Sequence, residues 1–150
     1  VQTCALPIWV VIASHDARDL LSWCDNMAIL KEGRAVQEGT PMELFRIPTD
    51  EYCAALLGEY SLIDKNDLTI HFVEKYPSLH TIHDKLFFRP SDFFITSSAV
   101  SDFNILSMLE IDEGDIIKCK CETPVGMVWA IKYPGQVNVC NEMGLKYVSH

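Results

Sequence analysis

The sequence predicts a chain in two parts, an α/β segment over residues 1–58 and an all-β small barrel over residues 59–150. The first prediction rests on a continuous apolar run, Trp9 to Ala13, that is followed at once by helical spacing of apolar residues. The second rests on short stretches of β-branched and aromatic residues that alternate with turn-forming residues after Gly58. We place the boundary near residues 59–65.

The apolar run Trp9 to Ala13 predicts a central strand buried on both faces. Apolar residues then recur at i, i+3, i+4 and i+7, which predicts a helix with one apolar face. That face consists of Ala17, Leu20, Leu21 and Cys24. Between the strand and the helix lie Ser14, His15 and Asp16, and either Ser14 or Asp16 is a candidate helix cap. Ligands bind at the carboxyl ends of strands in open α/β sheets, so this triplet occupies a candidate ligand position.

A hairpin and two helices are predicted next. Met27 to Leu30 and Ala35 to Gln37 form the two strands, and Gly33 supplies the positive φ that a tight turn needs. The segment Thr40 to Glu43 has the pattern of a helix start, with threonine as the N-cap, proline in the first turn and glutamate completing a capping box. A second helix is expected over residues 49–57.

Six short strands are predicted in the second part, separated by turn-rich segments. They are Leu68 to Val73, Lys85 to Phe88, Phe93 to Thr96, Ile105 to Ile111, Ile116 to Thr123 and Met127 to Ile131. Strands at this spacing are typical of a small barrel or sandwich.

The composition fits a folded globular protein and disfavours several classes of partner. Hydrophobic residues make up 49% and charged residues 22% of the 150 residues, which disfavours a disordered chain. No apolar run reaches the roughly 18 residues that a membrane span needs, so we expect no direct membrane insertion. The formal net charge of −9 disfavours nucleic acid as a partner, because nucleic-acid binding requires basic patches.

The cysteines favour buried, reduced thiols and therefore a cytoplasmic location. The six cysteines are Cys4, Cys24, Cys53, Cys119, Cys121 and Cys140, and none of their spacings is typical of a zinc site. Cys119 and Cys121 are expected on one face of a strand, which fits either a core face or two ligands of an incomplete soft-metal site. The core face is the favoured interpretation, and no metal is assigned.

The features between Val10 and Gly58 follow a specific order. A strand leads into Ser14, His15 and Asp16, an amphipathic helix follows, and the segments DNMAIL, KEGR and VQEGTP precede a last helix. As an ordered set they resemble the closing section of the ATP-binding subunits of ABC importers, at the end of a P-loop NTPase domain. No single piece of the set is specific, but the order and the spacing are.

The resemblance implies a catalytic switch role for His15, through a hydrogen bond to the γ-phosphate of ATP or to the attacking water. The alternative is a histidine that only packs at the end of a strand. Asp16 is then either the orienting partner of the imidazole or a helix cap, and capping is favoured. The resemblance also implies ATP and Mg²⁺ as cofactors, with a second ATPase subunit and transmembrane permease subunits as partners. The implied location is the cytoplasmic, inner face of the cell membrane.

The segment Phe88 to Asp92 resembles the Arg-Pro pair that opens a barrel strand in the TOBE, OB-like accessory domain of polyamine and iron(III) importers. An acidic residue usually follows that proline, whereas here Ser91 follows it and Asp92 comes one residue later. Arg89 is therefore a candidate anion ligand or, as the favoured alternative, an anchor to a carboxylate such as Asp92.

Three motifs of ABC ATPases are absent: the GxxxxGK[ST] phosphate loop, the LSGGQ-type signature and the strand ending in Asp-Glu. The resemblance places them upstream of Val10, so we expect the chain alone to be an inactive, truncated part of the ATPase. Val1 to Ile8 resembles translated sequencing-adapter read-through, and we expect it to be non-native. The alternative function is a stand-alone β-barrel regulatory module that senses a small ligand.

Overall fold

The computed structural model describes residues 9–135 and 143–148, and most of the regular structure in these ranges is β-sheet. The helices are α1 (Ala17–Trp23), α2 (Pro41–Arg46), α3 (Glu51–Leu56) and α4 (Ile70–Lys75). The strands are β1 (Met27–Lys31), β2 (Arg34–Gly39), β3 (Ser61–Asp64), β4 (Thr81–Ile82), β5 (Lys85–Phe88), β6 (Phe93–Ser97), β7 (Phe103–Asn104), β8 (Ser107–Asp112), β9 (Ile117–Thr123), β10 (Gly126–Lys132) and β11 (Met143–Tyr147). None of the described helices is long and apolar enough to cross a bilayer.

The predicted central strand Trp9 to Ala13 is wrong, because this segment has no regular secondary structure. Trp9 is 93% exposed and Val11 is 96% exposed. A strand must pair its backbone N–H and C=O groups with a neighbour, and among the described residues no strand lies beside this segment. The predictions for Val1–Ile8, including Cys4, and for Cys140 fall outside the described residues.

The hairpin and the first helix cap are confirmed. β1 and β2 pair in antiparallel fashion, and their turn has positive φ at both Glu32 (50°) and Gly33 (76°), as a type I′ turn requires. At the start of α2, the Thr40 hydroxyl accepts a hydrogen bond from the Glu43 N–H, and the Glu43 carboxylate accepts one from the Thr40 N–H. Both halves of the predicted capping box are therefore formed. The carboxylate of Asp50 caps α3.

The second part is built around a six-stranded sheet with the order β7-β11-β6-β10-β9-β8. β6 and β10 pair in parallel and the other neighbours pair in antiparallel fashion. The two edges, β7 and β8, are nearly consecutive in the chain. Between them, the Ile105 N–H donates to the Met143 carbonyl and the Leu106 N–H donates to the Glu122 carbonyl. The sheet therefore curls into a half-barrel, which is consistent with the predicted OB-like domain.

One predicted strand of this part, Leu68 to Val73, is instead the start of a helix, α4. Apolar residues alternate in this segment, but the structure buries Leu68 and Phe72, which are four residues apart, and leaves Ile70 76% exposed. The Thr69 hydroxyl accepts a hydrogen bond from the Phe72 N–H and so caps the helix. The apolar residues of this segment fit both the four-residue spacing of a helix and the two-residue alternation of a strand. The segment is helical because Thr69 caps it and the residues four apart are the buried ones.

The main hydrophobic core is formed by residues of the curled sheet, of a second, three-stranded sheet with the order β3-β5-β4, and of the α4 region. Its buried residues are Ile63, Leu68, Phe72, Leu86, Phe88, Phe93, Ile95, Phe103, Cys119, Cys121, Val128, Ala130 and Leu145. Two smaller clusters flank it. One joins Ile29, Leu44, Cys53 and Leu57, and the other joins Ala54, Ile82 and Phe87. The second small cluster connects α3 to β4 and β5, so apolar packing crosses the region of the predicted boundary.

Candidate functional site

His15, the predicted switch residue, is exposed and lies two residues before α1. The neighbouring residues organise the helix start: the Ser14 hydroxyl accepts a hydrogen bond from the Asp16 N–H at 3.0 Å. The Asp16 carbonyl in turn accepts from the Leu20 N–H at 3.5 Å, which is the first hydrogen bond of the helix. Asp16 therefore stands at the start of α1, as expected for a residue that caps it. The catalytic role of His15 stays a prediction.

Exposed apolar side chains precede and follow His15 in the sequence. Trp9, Val10 and Val11 are at least 73% exposed, and Trp23 at the end of α1 is 82% exposed. Groups of large apolar side chains on a surface mark places where another protein segment packs. Among the described residues, none hydrogen-bonds the His15 imidazole, so its nitrogens are available to a group outside the described chain.

Arg89 is fully buried and anchors the strand β5 to the helices of the first part. Its Nε donates to the Phe45 carbonyl at 2.9 Å. Its Nη1 donates to three further carbonyls, those of Ala54 at 3.0 Å, Gly58 at 3.0 Å and Glu59 at 3.2 Å. These acceptors lie at the ends of α2 and α3, where helices leave carbonyls without partners. The guanidinium therefore stabilises both helix ends at once.

The expected contact between the Arg89 guanidinium and the Asp92 carboxylate is not formed as predicted. Asp92 accepts from the backbone N–H of Arg89 at 2.6 Å, and its other oxygen accepts from Nη1 of Arg46 at 2.6 Å. A second contact crosses the same boundary nearby, between His80 Nε2 and the Pro48 carbonyl at 2.8 Å. Arg89 is thus an anchor, but carbonyls take the place of the expected carboxylate because the helix ends lie closer to it.

The environment of Arg89 keeps it charged although it is buried. Its guanidinium carbon lies 4.3 Å from the ring centroid of Phe45 and 4.9 Å from that of Phe87, a cation–π arrangement on both rings. Burial lowers the pKa of Arg89 to about 10, with Arg46 adding to the effect, so the group remains protonated at neutral pH. Its Nη2 has no acceptor among the described residues.

A cleft of about 740 Å³ opens beside these arginines. It is lined by Met42, Arg46 and Ile47 of the α2 region, by Ser78, Leu79, His80, Thr81, Phe87 and Arg89, and by Asp92 and Tyr147. Sequence analysis singled out Arg89 and Asp92 but missed the cleft. No local signal identifies it, because its walls come from segments that are far apart in the chain.

Cys119 and Cys121 lie on the inner face of β9, as predicted, and both are completely buried. Burial raises the pKa of Cys119 to about 11 and that of Cys121 to about 12. Both thiols are therefore protonated at neutral pH, and a thiol must lose its proton to bind a metal. Within the described residues, no group of three histidine, cysteine or acidic side chains is arranged to hold a metal ion.

Comparison with known proteins relates part of the chain to one class of transporter subunit. No family model matches the chain. The Fe(3+) ions import ATP-binding protein FbpC of Pseudomonas fluorescens (strain Pf0-1) is 40% identical over 52 residues, which is 35% of this chain and 15% of that protein. The proteins of the same name from strain Pf-5 and from Yersinia enterocolitica are 38% and 36% identical, each over 56 residues and 16% of their length. The chain thus spans about 15% of the length of these relatives, and about a third of it is similar to part of an iron(III)-import ATP-binding protein.

Proposed function

We propose that the chain is the C-terminal part of the ATP-binding, energy-coupling subunit of an ABC importer. The observation that carries the proposal is the 40% identity to an iron(III)-import ATP-binding protein over 52 residues. Support also comes from the strand-turn-strand and capped-helix order of residues 27–46, which the structure retains. In this proposal residues 1–58 close the ATPase domain and residues 59–150 form a TOBE-like accessory domain.

His15 is the group that we assign to the nucleotide. Phosphoryl transfer depends mainly on positioning and charge stabilisation, and an imidazole that donates to the γ-phosphate or orients the attacking water supplies both. His15 is exposed at the start of α1 beside exposed apolar side chains, which suits a surface that packs on the rest of an ATPase domain. The intact protein is expected to use ATP and Mg²⁺, to pair with a second ATPase subunit and to act beneath permease subunits at the inner membrane face.

The chain alone does not fit a complete nucleotide site. Its sequence has no phosphate loop, and its described residues contain no cluster of side chains that would hold Mg²⁺. We therefore expect the 150-residue chain to hydrolyse no ATP. The substrate that is transported is not encoded in these residues.

A stand-alone regulatory module is the second candidate function, and the large buried core of the second part favours it. The coding sequence upstream discriminates between the two candidates. An in-frame phosphate loop and LSGGQ-type signature would support the ATPase, and a start codon followed by a different domain would support the module.

The direct test is His15→Ala in the protein extended to include the phosphate loop. We expect ATP binding to be nearly unchanged, because the phosphate loop supplies most of the affinity. We expect hydrolysis to fall by roughly 100- to 10,000-fold, the effect of removing a positioned proton-handling or charge-stabilising group. Turnover per folded molecule and nucleotide affinity are measured on the same preparation.

His83→Asn is the matched control. His83 is also exposed, in the turn between β4 and β5, and asparagine tolerates its positive φ of 48°. We expect the control to hydrolyse ATP at the wild-type rate. Normal turnover in well-folded His15→Ala protein would contradict the switch assignment.

A further inference from the structure

The cleft beside α2 has a charge and a lining that suit a small anionic ligand. We propose that it binds a small organic molecule that carries a carboxylate, with Arg46 as the residue that contacts the carboxylate. The proposal does not depend on the ATPase assignment, because the residues that line the cleft do not include His15 and the argument uses only their own charges and contacts.

The lining of the cleft carries an excess of positive charge. Arg46 and Arg89 contribute two guanidinium groups, and Asp92 contributes the one carboxylate among the described lining residues. The Arg46–Asp92 ion pair therefore leaves the Arg89 charge without a counterion in the lining, and Glu59, which lies outside the lining, offsets part of it. An anion is attracted to such a concave, partly desolvated surface more strongly than to an open one.

Arg46 has the geometry to contact a ligand directly. Among the described residues, its Nη1 alone has a hydrogen-bond acceptor, Asp92 at 2.6 Å, and its side chain is 32% exposed. Among the described residues, its Nε and Nη2 have no acceptor, so two parallel N–H donors remain. A planar pair of donors matches the two oxygens of a carboxylate, which a lysine ammonium does not.

Arg89 reinforces the site from within the wall. It lines the cleft but is fully buried, so it acts on a ligand through its charge rather than through contact. Charges interact more strongly through protein than through water, because the effective dielectric constant is lower. The same burial, together with the neighbouring Arg46, lowers the pKa of Arg89, and an anion in the cleft would offset both effects.

The remaining lining fits a ligand with a short apolar body. Ser78, Thr81 and Tyr147 belong to the lining and carry hydroxyl groups, and burial raises the pKa of Tyr147 so that its phenol stays protonated. Met42 and Leu79 supply apolar surface. A cleft of about 740 Å³ is within the range of small-molecule sites, which combine apolar walls with a few polar groups.

The test is a titration of the 150-residue chain with glutarate, a dicarboxylate with an apolar body, at constant ionic strength. Amide NMR shifts locate the binding, and inorganic phosphate and sodium chloride serve as comparison anions. We expect glutarate to shift the amides of Arg46, Thr81 and Arg89, and to bind more tightly than either comparison anion. Equal binding of the three anions, or shifts only at distant residues, would overturn the proposal.

Variants of Arg46 provide the second arm, and Arg34→Gln is the control because Arg34 is exposed on the β1–β2 hairpin. We expect Arg46→Gln to weaken glutarate binding by about tenfold, the effect of one charge-assisted hydrogen bond, and Arg34→Gln to leave it unchanged. Arg46→Lys keeps the charge beside Asp92 and so protects the fold, but it lacks the paired donors. We expect an affinity between those of wild type and Arg46→Gln. The assignment would be overturned if both Arg46 variants bound glutarate as tightly as the wild type. It would also be overturned if Arg46→Gln and Arg34→Gln lost the same amount of glutarate affinity.

Discussion

The segment before the hairpin and the main core around the curled sheet are both rich in large apolar residues, but they bury them differently. Val11 and Trp23 are 96% and 82% exposed, whereas Phe88 and Leu145 are completely buried. Strands of the curled sheet enclose this core together with β3, β5 and α4, while the first segment leaves its apolar groups in contact with water. Large apolar groups are costly when they are exposed to water, and the proposed packing of this segment on the rest of an ATPase domain would remove that cost.

The hairpin and the helices α2 and α3 form a third region that is intermediate. They carry a small core of their own, in which Leu44 and Cys53 are fully buried. They are also tied to the second part of the chain by Arg89, by the Arg46–Asp92 ion pair and by an ion pair between Lys118 and Glu59 at 2.7 Å. The stability of this region therefore depends on the second part as well as on its own core.

Truncation of one apolar side chain in each region gives the largest expected difference. Phe88→Ala should lower the free energy of unfolding by roughly 3 to 5 kcal/mol, because it leaves a cavity in the main core. Val11→Ala should change it by less than about 0.5 kcal/mol, because its side chain is already in water. Urea denaturation followed by circular dichroism measures both. A loss of more than about 2 kcal/mol in Val11→Ala would show that the first segment is packed after all.

Arg89→Met tests the connection between the regions. The substitution removes the donors to four carbonyls at the ends of α2 and α3 and both cation–π contacts. Because it also removes the desolvation cost of a buried charge, we expect a net loss of about 2 to 3 kcal/mol in the free energy of unfolding. Arg34→Met, on the exposed hairpin, is the control and should be neutral. If both variants unfold at the same urea concentration as wild type, Arg89 is not the anchor that its contacts indicate.

Loss of a hydroxyl at a helix start gives the smallest effect, and two such starts can be compared. Thr40→Ala should cost about 1 kcal/mol, because the Thr40 side chain caps a helix whose Leu44 is fully buried. Ser14→Ala should cost less, because the Ser14 hydroxyl accepts from the Asp16 N–H ahead of α1 rather than from the helix itself, and α1 packs through partly buried residues such as Ala17 and Leu21. Thermal unfolding of the two variants in parallel measures the difference. An equal or greater loss in Ser14→Ala would mean that α1 contributes as much as α2.

Sequence analysis succeeded where structure is decided by neighbouring residues. The turn at Gly33 and the capping box at Thr40 depend on side chains within three positions, and both are formed. It failed where structure depends on distant residues. The strand predicted at Trp9 to Ala13 has no partner in the described chain, and Arg46 is 46 positions away from Asp92. Helical and alternating patterns also coincide over short segments, which explains why α4 was predicted as a strand.

The candidate sites were predictable to different degrees. His15 was singled out through an ordered resemblance, and the structure places it exposed at a helix start without testing its chemistry. Arg89 was predicted as an anchor, but its acceptors were not, since no sequence pattern identifies which helix ends will lie beside it. The cleft was missed altogether, because residues such as Arg46, Thr81 and Tyr147 meet only in the folded chain.

Native-state hydrogen exchange of the 150-residue chain tests the central claim, that the curled sheet belongs to a buried core and the first segment does not. We expect the amides of β9 and β10 to exchange only through global unfolding, because these strands pair along their length and enclose Cys121 and Val128. We expect the amides of α1 to exchange through smaller openings, since this helix has seven residues and much of its surface faces solvent. Faster exchange in β9 and β10 than in α1 would contradict the account.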